Sequence, residues 1–118
     1  MTASQLLDAQ VQEKRRYALL SELFDLTKQL AEAVDRDDEI ATRMLLSMRE
    51  EPLEKMRQVE ENLTRQRASL SEEDGRRLGE LLSGAQARQA EENALSDQVG
   101  TNRRLLSQLV ELDKRVNK

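Results

Sequence analysis

Acidic side chains are the groups in this sequence whose spacing could support catalysis. Adjacent carboxylates occur at several places, as in Glu50-Glu51, Glu60-Glu61 and Glu91-Glu92. An acid–base pair needs a pocket that desolvates one carboxyl group and leaves the other ionised. Neighbouring residues of a helix do not face each other. We therefore expect these carboxylates to lie on solvated helix faces.

The densest acidic group covers residues 35–39 and contains Asp35, Asp37, Asp38 and Glu39. It could in principle hold a divalent ion, but it lacks the glycine and the terminal bidentate glutamate of a calcium loop. Aspartate also caps helices by accepting hydrogen bonds from the free amides of the first turn. We expect a tight reversal here, with Asp37 or Asp38 as the cap and no metal or cofactor.

Two residue types that often act in catalysis are missing from the sequence. It contains no Cys and no His, so it lacks a thiol nucleophile and the commonest general base and metal ligand. No phosphate-binding or dinucleotide-binding glycine pattern is present. Gly75 and Gly79 are four residues apart, but their charged surroundings exclude a membrane-helix contact. We expect a protein that is not an enzyme.

The charge balance argues against nucleic acid as a partner. The net charge is −4, and the basic runs at 14–16, 76–77 and 103–104 are flanked by acids. No apolar run approaches the roughly 18 residues that span a bilayer, and the first residues lack a secretory signal pattern. We expect a cytoplasmic protein without membrane insertion.

The elements that position these residues are helices. Charged residues make up 36% of the chain and aromatic residues 2%, which is typical of long helices with a thin aliphatic core. The predicted fold is all-α, a single domain over residues 1–118. It consists of an antiparallel helical hairpin and a third long helix in a coiled-coil-like bundle. The predicted helices cover about 4–34, 39–68 and 72–116.

Apolar residues at alternating steps of three and four predict the buried faces. In the first helix this face comprises Leu19, Leu23, Leu26, Leu30 and Ala33. In the second helix it comprises Ile40, Leu45, Met48, Met56, Val59 and Leu63. The start of the first helix carries a thinner face (Leu6, Leu7 and Val11), and we expect it to project or fray.

Two positions predict interruptions. Pro52 lacks a backbone donor and is expected to kink the second helix, although a break near Arg49 would place Pro52 in a first turn. The third segment would be roughly 65 Å long, so it either overhangs the hairpin or breaks, and Ser83-Gly84 is the expected position of a break. Ser71 is expected to cap this segment.

The strongest candidate for binding is the amphipathic end of the third segment. Its predicted partner-binding residues are Leu105, Leu106, Leu109, Leu112 and Val116. If uncovered, this stripe would bind a partner's helix or a second copy of the chain. The alternative is that it completes a closed bundle.

Three stretches of the sequence resemble one family. Residues 17–39 resemble the first helix and acidic turn of bacterial flagellar export chaperones, of the FlgN and FliT kind. Residues 44–56 are similar to their second helix, and residues 101–109 to the start of their substrate-binding C-terminal helix.

The resemblance implies a small cytosolic type III export chaperone. Such a protein binds the helical terminus of a late flagellar subunit, either a hook–filament junction protein or the filament cap. It keeps that subunit monomeric and competent for export, and the binding helix corresponds to the leucine stripe above. The C-terminal tyrosine that junction-protein chaperones often use at the export gate has no counterpart after Tyr17.

Two other readings of the same stripe stay open. One is a homodimeric coiled-coil protein with a structural or adaptor role. The other is a helical protein that sequesters a regulator. All three readings have a protein as the partner.

Overall fold

The protein is all α-helical, as the sequence predicts. A computed structural model describes residues 1–117, which contain no strand and measure 52 × 22 × 19 Å along the principal axes. A short 3-10 turn at Ala90–Glu92 precedes the last helix. The helices are α1 (Ala3–Asp35), α2 (Glu39–Met48), α3 (Glu50–Ala68), α4 (Glu72–Leu82) and α5 (Asn93–Val116).

The start of α1 is packed, and the expectation that it would fray is wrong. Thr2 and Gln5 form a reciprocal capping box, which satisfies free amides of the first turn. Leu6 and Ala9 are both buried in the core. Leu6 and Ala9 pack against residues of α3, α4 and α5, so this thin apolar face is enough to hold the start of α1 in place.

The acidic group at 35–39 forms the expected reversal. Asp37 adopts a left-handed backbone conformation with φ of 56°. The Asp38 carboxylate then accepts a hydrogen bond from the Ala41 amide at 3.0 Å, which caps α2. The carboxylates therefore support a turn and a helix start.

The prediction of one kinked helix over residues 39–68 is wrong, because the structure divides it at one residue. α2 ends at Met48 and α3 begins at Glu50, while Arg49 between them keeps helical backbone angles (φ −73°, ψ −18°). Pro52 is buried in the first turn of α3. It has no N–H to donate to the carbonyl four residues earlier, so the helical hydrogen-bond ladder is broken here.

The third predicted segment is two helices rather than one. Ser71 caps α4 by accepting from the Asp74 amide at 3.2 Å. α4 ends in a Schellman motif, in which the Gly84 amide donates to Leu81 and the Ala85 amide donates to Glu80, each at 3.0 Å. Gly84 has φ of 102°, a conformation that favours glycine. The break lies at Ser83-Gly84 because this motif turns the chain there.

Residues 83–92 return the chain to the start of α1, and α5 then runs parallel to α1. The start of α5 contributes Leu95 to a first core that includes Leu6 of α1. The end of α5 places Val116 against a second core that includes Leu30. α5 therefore lies along α1 instead of overhanging the hairpin.

Two separate clusters of buried residues form the core. The first core lies where α1, α3, α4 and α5 meet and comprises Leu6, Ala9, Val59, Leu63, Leu78, Leu81, Leu95 and Val99. The second core lies near the reversal and comprises Leu26, Leu30, Ala33 and Leu45.

The predicted buried face of α2 is wrong at two positions. Ile40 is 83% exposed and Met48 is 50% exposed. Ala41 and Leu45, one turn apart, face α1 instead. Residues 40, 44 and 48 share a different side of α2, which remains open to solvent.

Candidate protein-binding cleft

The helices leave a cleft beside α1. α3 and α5 both pack on α1, yet no Cα atom of α3 lies within 8 Å of one in α5. The short helix α4 bridges α3 and α5 at one end. Because α4 ends at Leu82, the remainder of the space between α3 and α5 has no helix above it.

We call this space the α3–α5 cleft. Its volume is about 340 Å³. Residues from four helices line it. They are Glu13, Arg16 and Leu20 of α1; Met56, Glu60, Leu63, Thr64 and Arg67 of α3; Gly79, Leu82 and the adjoining Ser83 of α4; and Val99, Asn102, Arg103 and Leu106 of α5.

A buried polar group fixes the floor of the cleft. The Asn102 side chain, 2% exposed, donates to the Glu13 carbonyl at 2.8 Å and to the Glu13 carboxylate at 2.7 Å. Asn102 in turn accepts from Gln98 at 3.1 Å. Arg16 donates to the Glu13 carboxylate at 3.1 Å and pairs with Glu60 of α3. Buried polar groups need such partners, and satisfied networks select one packing arrangement.

Sequence reasoning missed this polar group, although a signal was present. Leu95, Val99, Asn102 and Leu106 follow steps of four, three and four residues. Asn102 therefore occupies a position where the helix pattern places an apolar residue. A polar residue at such a position often specifies register.

Part of the accessible apolar surface of the cleft lies between α3 and α5, beyond the end of α4. Leu106 of α5 is 46% exposed, and Met56 of α3 is half-buried on the opposite wall. Leu20 of α1 is buried between them at the floor. Leu106 and Met56 therefore offer an apolar strip to a ligand that enters between α3 and α5.

The structure places the five predicted partner-binding residues on more than one surface. Leu106 lines the α3–α5 cleft. Leu105 lies on the other side of α5, in a shallow depression shared with Tyr17 and Phe24 of α1. Val116 packs against the second core. The remaining two, Leu109 and Leu112, are half-buried.

The remaining carboxylates form no cluster of a kind that binds metal. Within residues 1–117, no three acidic side chains group so that they could hold an ion. Glu92, which is 7% exposed, is instead held by Arg77, whose Nε and Nη2 atoms donate to its two carboxylate oxygens at 2.9 and 2.7 Å. These hydrogen bonds, with one from the Arg88 amide, outweigh burial and lower the pKa of Glu92 to about 2. The pair anchors the start of α5 to α4.

None of the helices in the described part of the chain is long and apolar enough to cross a membrane. Comparisons with family models, with curated proteins and with solved structures find no match to this sequence.

Proposed function

We propose that this protein binds an amphipathic helix of another protein in the α3–α5 cleft. The observation that carries this proposal is the separation of α3 from α5 above α1. A four-helix bundle has a helix at this position. Here α4 fills only one end of the cleft. Leu106 and Met56, in the remaining part of the cleft, stay accessible. A helix that entered would bury its apolar face against them.

The partner we propose is the helical terminus of a late flagellar subunit, a hook–filament junction protein or the filament cap. The resemblance of residues 17–39, 44–56 and 101–109 to flagellar export chaperones supports this choice. Such a terminus carries an apolar stripe that pairs with other subunits in the filament. Covering the stripe in the cytoplasm would keep the subunit monomeric until export.

A second candidate function is that of a homodimeric adaptor. It is favoured by the exposed apolar side of α2, where Ile40 is 83%, Met44 58% and Met48 50% exposed. These residues are spaced one helical turn apart and lie outside the α3–α5 cleft. A second copy of the chain could cover them in a symmetric pair.

One pair of variants separates the two functions. Leu106→Glu places a charge in the cleft, and Ile40→Glu places the same charge on the exposed side of α2. Binding of synthetic peptides from the termini of the junction and cap subunits is measured by calorimetry. The mass of each variant in solution is measured by light scattering, and circular dichroism verifies that the helices are retained.

We expect Leu106→Glu to weaken peptide binding by at least roughly tenfold, as loss of a central apolar anchor does, and Ile40→Glu to leave it unchanged. The chaperone proposal fails if none of the peptides binds the unmodified chain. If, in addition, the unmodified chain is a dimer and Ile40→Glu makes it a monomer, the adaptor function replaces the chaperone function.

A further inference from the structure

Two arginines line the end of the α3–α5 cleft that α4 closes. Arg67 comes from α3 and Arg103 from α5. Other arginines in or beside the cleft have carboxylate partners, since Arg16 pairs with Glu13 and Glu60, and Arg77 pairs with Glu92. Within the described chain, residues 1–117, neither Arg67 nor Arg103 forms an ion pair.

Arg67 lies along a glycine face of α4. A Cβ atom added at Gly79 would be 2.6 Å from the central carbon of the Arg67 guanidinium and 2.8 Å from both terminal nitrogens. At Gly75, one turn earlier, it would be 3.7 Å from the Arg67 Cγ atom. The Gly75 and Gly79 pair, which the sequence leaves without a role, thus provides a path for this side chain.

Arg103 lies against the glycine that ends α4. A Cβ atom at Gly84 would be 3.0 Å from Nε of Arg103 and 3.2 Å from its Cδ. Any residue other than glycine would displace a guanidinium group, that of Arg67 at position 79 and that of Arg103 at position 84. Glycine therefore makes room for two cationic groups at the α4 end of one cleft.

The electrostatics of this end of the cleft favour an anion. The carboxylates that line the cleft already have partners: Glu13 accepts from Asn102 and Arg16, and Glu60 pairs with Arg16. The guanidinium groups of Arg67 and Arg103 are left with donors that match a carboxylate in a planar, two-pronged geometry.

We propose that Arg67 and Arg103 recognise an acidic residue of the partner, so that the cleft selects an amphipathic helix with a Glu or Asp beside its apolar stripe. This inference rests on the proposed function, because it assigns the chemistry of the helix that enters the same cleft. The apolar strip at Leu106 and Met56 would bind the stripe, and the arginine end would fix the direction and register of the helix.

The probes are two synthetic amphipathic peptides with the same leucine stripe, one with glutamate and the other with glutamine at the polar positions. Binding of each to the full chain is measured by fluorescence anisotropy at low and high salt. We expect the glutamate peptide to bind about fivefold more tightly at low salt, as a well-oriented exposed ion pair allows, with the difference shrinking at high salt. The net charge of this protein, −4, would by itself favour the uncharged glutamine peptide over the glutamate peptide. Long-range attraction therefore cannot account for tighter binding of the glutamate peptide.

Matched variants locate the effect. Arg67→Gln and Arg103→Gln are expected to remove the preference for glutamate, whereas Arg104→Gln is expected to retain it, because Arg104 lies on the other side of α5 with Leu105. Gly79→Ala keeps both arginines but displaces Arg67, and it should reduce the preference. Gly100→Ala is its control, since the added Cβ meets Arg104 at an ordinary 3.5 Å.

Each outcome bears on the proposal. Equal binding of the two peptides by the unmodified chain overturns carboxylate recognition and leaves helix binding in the cleft standing. A preference for glutamate that survives both arginine variants overturns it as well, by placing recognition elsewhere. If neither peptide binds, this inference and docking in the cleft both fail. Circular dichroism of every variant verifies that the fold is retained.

Discussion

At the scale of single residues, the polar side chains of the interior define how α5 lies on α1. Asn102 gives two hydrogen bonds to Glu13, and both residues are buried. An apolar residue at position 102 would allow α5 to slide or rotate on α1, because dispersion contacts are non-directional. The Asn102–Glu13 contact therefore sets which side of α5, including Leu106 and Arg103, faces the cleft.

Glu92 gives a prediction about stability and pH. Its pKa is lowered from 4.5 to about 2, so its ion pair with Arg77 stabilises the fold above about pH 4.5 and is lost as the pH falls towards 2. We expect Glu92→Gln to lower the free energy of unfolding by roughly 2 kcal/mol at neutral pH, and by progressively less in acid.

The measurement is urea denaturation of the native chain and the variant across this pH range. Glu91→Gln is the control, since Glu91 is exposed and precedes Glu92 directly. A deficit in Glu92→Gln that stays constant down to about pH 2 would contradict the role of the ion pair.

At the scale of elements, the short length of α4 creates the cleft. α4 has 11 residues, and its Schellman motif turns the chain at Gly84 before the helix can extend beside Met56 and Leu106. A longer α4 would occupy the space that we assign to a partner. The glycine that ends α4 thus leaves open the space that the proposed partner would enter.

Gly84 and Gly100 provide a test of this role. Alanine at Gly84 would be strained by the φ of 102°, and its Cβ would lie 3.0 Å from Arg103. We expect Gly84→Ala to destabilise the fold by about 1–2 kcal/mol. Gly100 lies within α5, where alanine is the better helix former, so Gly100→Ala should stabilise by up to about 1 kcal/mol. Thermal unfolding of both variants measures the difference, and equal effects would contradict a special backbone requirement at Gly84.

At the scale of the whole molecule, the two cores give the bundle a tightly packed end and a more open end. The first core joins four helices and buries Leu95 and Val99 of α5. Toward the second core, α5 is half-buried at Leu105, Leu109 and Leu112. One ion pair joins this part of α5 to the α2–α3 junction, with Arg49 and Asp113 3.1 Å apart.

We expect the second half of α5 to open more easily than the first. Asp113→Asn should raise hydrogen exchange at residues 105–116 by up to about fivefold, since a partly exposed ion pair contributes at most about 1 kcal/mol. Exchange at residues 93–102 should not change. Hydrogen exchange followed by mass spectrometry measures both segments. Glu111→Gln is the control, because its ion pair with Lys114 lies within α5, and an equal effect there would remove Arg49 from the explanation.

The local features of this fold follow from its sequence. The all-α class, the reversal at Asp37 and Asp38, the cap at Ser71 and the interruption near Pro52 depend on hydrogen bonds between residues a few positions apart. Such features are decided by residue type and spacing. Protein binding, which we expect from the abundance of leucine faces and the absence of Cys and His, stays a prediction.

The tertiary structure alone decided which faces are covered. Periodicity identifies an apolar stripe but not its neighbour, so Ile40 was predicted to be buried although it is exposed, and Leu6 was predicted to fray although it is buried. The return of α5 along α1 divided the leucine stripe between a packing face and the cleft. Arg67 and Arg103 are far apart in the sequence, and they line the same cleft because α3 and α5 both pack on α1, with Gly79 close to Arg67 and Gly84 close to Arg103. Contacts of this kind depend on the directions of whole helices, which no short stretch of residues determines.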